Sequence, residues 1–131
     1  MNSNQAILQF LNQCAEAISN KADDNKSREG AARFIEKLDA AQAKSFSAKT
    51  QIVLDDLNAI ARTPFTFDFH NIAKDMVWHP SPRTNDNGSL MALSIINDMF
   101  DLGDLVAGLL LVSSNQKYPL HQHSPQELYL I

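Results

Sequence analysis

Tyr118-Pro-Leu-His121-Gln-His123-Ser-Pro-Gln-Glu127-Leu-Tyr129, followed by Leu130 and Ile131, is the stretch on which the fold of this chain turns. In an extended strand, successive side chains alternate between the two faces. His121 and His123 therefore share a face, and so do Glu127 and Tyr129. Where the bend at Ser124-Pro125 keeps the register, all four converge on one side. Two imidazoles and a carboxylate with a phenol beside them make a first-row transition-metal site with room for a substrate. A single histidine on an edge strand is ordinarily a surface residue. A pair at i and i+2, with a glutamate four positions beyond, favours ligation instead. Glu127, between Gln126 and Leu128, has little reason to face a packed interior unless its charge is compensated.

The first half of the chain has helical periodicity. Ile7, Leu8, Leu11, Cys14, Ala15 and Ile18 recur at spacings of three and four, one stripe of an amphipathic helix. Asn20 to Asn25 is polar turn material. A second helix is predicted to start near Ser27, capped by its hydroxyl, and to bury Ala31, Phe34, Ile35 and Leu38. Ser45 to Ser47 breaks the pattern. A third helix carrying Ile52, Val53, Leu57 and Ile60 stops before Pro64, which disfavours helix in the residue ahead of it.

The second half changes character. Phe65-Thr-Phe67-Asp-Phe69 alternates apolar and polar, the pattern of a half-buried strand. Two prolines exclude regular structure across Trp78-His79-Pro80-Ser81-Pro82, and Asn85-Asp-Asn-Gly88 marks a turn. Leu90 to Ile96 and Leu105 to Val112 are apolar runs expected to be strands, separated by Asp101-Leu-Gly103-Asp104; the region Ser89 to Phe100 also suits a short buried helix. A turn at Ser113 to Lys117 leads into the motif strand. The fold class is thus α+β, a helical section over residues 1–62 followed by antiparallel β structure over 63–131.

Composition narrows the function classes. At 131 residues the chain is one domain or part of one, and its 44% hydrophobic content supports a real core. The net charge of −4, with no basic run, argues against nucleic acid as a partner. Cys14 is alone, which excludes an internal disulfide and a cysteine-based zinc site; on its apolar helical face it is expected to be buried and inert. Met1-Asn-Ser-Asn-Gln lacks the charged and apolar regions of a secretory leader. The apolar run Leu105–Val112 is far short of the roughly 20 residues that span a bilayer. The expectation is a cytoplasmic protein with no membrane partner.

Tyr118 to Glu127 resembles the first conserved motif of the cupin superfamily, small β-barrels whose metal ligands come from His-x-His and a glutamate shortly after. A glycine usually stands six positions before the first histidine; here Asn115 occupies that place, and asparagine also tolerates the left-handed turn conformation. Within that superfamily the chain is most similar to bacterial cupin-type dimethylsulfoniopropionate lyases. It shares their Tyr-Pro-x-His-x-His and Glu-x-Tyr as Tyr118-Pro119-Leu120-His121-Gln122-His123 and Glu127-Leu128-Tyr129. The helical N-terminal section, Trp78-His79-Pro80 and the apolar Ala107-Gly108-Leu109-Leu110 are similar as well.

The resemblance implies the first half of an antiparallel double-stranded β-helix. It also implies a divalent transition metal (Zn, Fe, Mn or Ni) held by His121, His123 and Glu127. The substrate would be a small sulfonium carboxylate, its α-proton taken by Tyr129 and its sulfonium head resting against Tyr118 or Trp78. In such a family the fourth ligand and the glycine after the glutamate lie beyond Ile131, so the chain is expected to break off within the first motif. A small barrel needs about eight strands, and only about five or six can be placed here. Either the remainder of a longer protein, or a second chain through a homodimer or strand exchange, would complete the sheet. Other classes also fit these ligands: a cupin oxygenase or isomerase, and a non-catalytic ligand-sensing cupin. His70 and His79 stand alone and are expected to be satisfied or solvent-exposed. Asp23-Asp24 and Asp55-Asp56 are expected to be solvated charges, since adjacent helical residues do not face each other.

Overall fold

A computed structural model describes residues 2–48, 69–80 and 91–112. Helix α1 spans Ser3–Lys21 and α2 spans Asn25–Asp39. Short strands follow: β1 Gln42–Ala43, β2 His79–Pro80, β3 Met91–Ile95, β4 Phe100–Asp101 and β5 Gly108–Val112. The class is α+β, helices with small antiparallel strand sets. Among the described residues the strands form no closed barrel.

Helix α1 begins where Asn2 closes a reciprocal cap: its side chain accepts from the Gln5 N–H at 2.8 Å, and the Gln5 side chain accepts from the Asn2 N–H at 3.0 Å. The periodic stripe is buried as expected at Ile7, Leu11, Cys14 and Ala15, with Phe10 added to it. Helix α2 starts earlier than Ser27. Its cap is Asp24, whose carboxylate accepts from the Ser27 N–H at 2.8 Å. Ser27 is the third helical residue, the position whose orphan donor a cap satisfies. Asp24 is therefore a working cap rather than a merely solvated charge, and Ser27 is its client. Of the four apolar positions expected on α2, Ala31 and Leu38 are buried, while Phe34 and Ile35 are partly so.

The strand expected through Phe69 is replaced, at that residue, by helix. Residues 69–72 are α-helical and continue into a 3₁₀ turn at Ala73–Asp75. The reason lies in the side chains that follow Phe69. Phe69, Ile72, Ala73 and Met76 are all buried, spaced three, four and seven residues on, which is a helical stripe and not an alternation. Residues 65–68 of that run, the third helix, the Asn85–Gly88 turn and everything after Val112 lie outside the described residues.

A second departure concerns the prolines. His79–Pro80 forms β2, pairing antiparallel with β3 as His79↔Leu93 and Pro80↔Ala92. Within the order β2-β3-β5 it is the outer strand, where a residue without an N–H donor is tolerated. The expected strands within Leu90–Ile96 and Leu105–Val112 are present as β3 and β5. They pair in the register Ala92↔Leu111, Leu93↔Leu110 and Ser94↔Leu109. The helical alternative for Ser89–Phe100 survives only as one 3₁₀ turn, Ile96–Asp98.

That register sorts the sheet into two sides. Ala92 and Ser94 are fully buried, and their partners Leu111 and Leu109 pack against the main core. Leu93 and Ile95 point to the other side with Gly108 and Leu110, the last 37% exposed. One core joins α1 and α2 to the 69–78 segment and to residues 92–102. At its centre Phe69 bridges Phe10 and Trp78, with ring centroids 5.7 and 6.0 Å away. A separate two-stranded ribbon, β1 with β4, ties the segment after α2 to Phe100–Asp101; the Lys44 N–H donates to the Met99 carbonyl at 2.8 Å and extends it. Gly103, with φ of 64°, makes the turn that follows, a left-handed conformation costly for other residues.

Candidate metal centre

The loop before β5 is the last described turn ahead of the candidate donors in the sequence. Asn97 braces it from within: its side-chain NH₂ donates to the Leu105 carbonyl at 2.8 Å, and its side-chain oxygen accepts from the Ala107 N–H at 3.1 Å. The Ile96 N–H adds a bond to the Ala107 carbonyl at 2.9 Å. On the outside, the Arg33 guanidinium is paired with the Asp104 carboxylate, and Lys37 lies 3.8 Å from the same side chain. The Arg33 hydrogen bond holds the Asp104 carboxyl below its ordinary 3.8. These contacts pin both ends of the turn. β5, which follows, pairs with β3 from Ile95↔Gly108 to Met91↔Val112.

His121, His123, Glu127, Tyr129 and Tyr118 lie outside the described residues, so the structure neither gathers nor separates them. Trp78, the sixth candidate, is in the core. It is 2% exposed, and its indole N–H donates to the Ala73 carbonyl at 2.9 Å. Among the described residues no group of three or more histidine, cysteine, aspartate or glutamate side chains could hold a metal ion. The donor chemistry of the motif fits such an ion on its own terms. Two neutral imidazoles and one carboxylate suit zinc, iron, manganese or nickel, and three protein ligands leave positions open for water or substrate.

The remaining chemically distinctive groups fall into place individually. His79 is half-exposed, its Nε2 3.8 Å from an Asp98 carboxylate oxygen, a surface pair of little energetic weight. His70 is half-buried, and its Nε2 is enclosed with no hydrogen-bond partner among the described residues. Ser94 shares that condition at its hydroxyl, on the fully buried side of β3. A serine within the apolar Leu90–Ile96 run was the only sequence sign of it. Cys14 is buried as expected, and burial pushes its thiol up to about 12. Asn97 escaped sequence reasoning as a brace, although an asparagine directly after Ile95-Ile96 invited the question of what it bonds.

No protein-family model, no curated protein and no solved structure matches the chain. No described helix is long and apolar enough to cross a membrane.

Proposed function

We propose that the chain carries the first metal-binding motif of a cupin-type barrel and serves a metal-dependent lyase. This enzyme would cleave dimethylsulfoniopropionate, a small sulfonium carboxylate, to dimethyl sulfide and acrylate. The observation that carries the reading is the pattern His121-x-His123-x₃-Glu127-x-Tyr129. Two structural features support it. The strands that lead toward the motif are antiparallel and in one register. One side of their sheet, with Ala92, Leu109 and Leu111, joins the main core, and the other carries Leu93, Ile95 and Leu110.

His121, His123 and Glu127 would hold the metal. A divalent ion there supplies a Lewis acid for the substrate carboxylate and for the negative charge that develops at its α-carbon. Tyr129 is the base. A free phenol ionises at about pH 10, and a cation held beside Tyr129 would make its phenolate accessible at lower pH. The Tyr129 phenolate takes the α-proton and becomes the neutral phenol. The electron pair left on the α-carbon forms the new C=C bond, and the β-carbon–sulfur bond breaks toward sulfur. Neutral dimethyl sulfide departs and acrylate remains. The sulfonium cation favours an aromatic face. Tyr118, adjacent in sequence to the ligands, is the aromatic assigned to it, because the indole of Trp78 is enclosed by the core.

The test is headspace detection of dimethyl sulfide from the purified protein loaded with each of the four metals. The expected result is metal-dependent release that falls by at least about 10²-fold in Tyr129→Phe, the scale of a lost general base, with metal content unchanged. Undiminished release from that variant would remove Tyr129 from the role. Absence of release with every metal, from protein that holds the metal stoichiometrically, would overturn the substrate assignment.

A further inference from the structure

We draw no further inference here: the strongest candidate, the apolar side of the β2–β3–β5 sheet that carries Leu93, Ile95 and the exposed Leu110, has nothing in the structure to show what covers it.

Discussion

Trp78 and Cys14 show what single residues contribute. Trp78 fills the centre of the aromatic cluster and spends its one donor on Ala73. Trp78→Phe removes that hydrogen bond and leaves part of the indole volume empty, so it should destabilise the fold by about 2 kcal/mol. Urea denaturation measures this directly. Because the indole is enclosed, the KM for any substrate should be unchanged in the folded fraction; a raised KM with unaltered stability would put Trp78 in the site after all. Cys14 makes a prediction in pH. Its thiol is raised from its ordinary 9.0 to about 12 by burial, which opposes the thiolate. Between those values the unfolded chain has released the proton and the folded chain has not, so stability falls as pH rises. The protection is complete below pH 9 and is lost progressively toward pH 12. The slope attributable to this group is at most about 1.4 kcal/mol per pH unit. It should appear as the difference between the native chain and Cys14→Ala in urea midpoints across that range. Equal slopes would contradict it.

The elements show where local sequence sufficed and where it did not. Helix α1 is legible from Ile7, Leu11 and Cys14 at helical spacing, and β3 and β5 from apolar runs, which show no period and so leave a helix open for the first of them. The start of α2 is ambiguous in the sequence because Asp24 and Ser27 are both good caps; in the structure Asp24 accepts and Ser27 donates its backbone N–H. Phe69 reads as strand because Phe65-Thr-Phe67-Asp-Phe69 alternates, whereas the burial at Ile72, Ala73 and Met76 is fixed by what packs against that segment. The β1–β4 ribbon had no local signature, since two-residue strands exist only through their partners. The cap itself is testable. Hydrogen bonds from Ser27 hold the Asp24 carboxyl below its ordinary 3.8. The stabilisation it gives is therefore present above that pH and lost as pH falls through the lowered value. Asp24→Asn keeps a good cap without the titration. Acid denaturation of that variant should retain α2 stability at neutral pH and show a shallower decline below pH 4, about. A matching decline in both proteins would mean that other carboxylates carry the acid sensitivity.

At the scale of the molecule, the structure shows the α+β class as helices with small antiparallel strand sets, while the change of period near residue 62 falls outside the described residues. One core spans both halves, so the helices are part of the sheet's support rather than an appended unit. The candidate site was readable only as a pattern, because its donors fall in the chain after Val112. That pattern makes a claim sharper than any activity: two imidazoles and one carboxylate share a single cation. Cobalt(II) loading followed by elemental analysis and visible absorption of the purified chain tests it most directly. The account expects one cobalt per chain with d–d bands of a low-coordinate nitrogen–oxygen site, and loss of both in His121→Ala, His123→Ala and Glu127→Ala taken singly. Retention of the ion and of its spectrum by all three variants would contradict it.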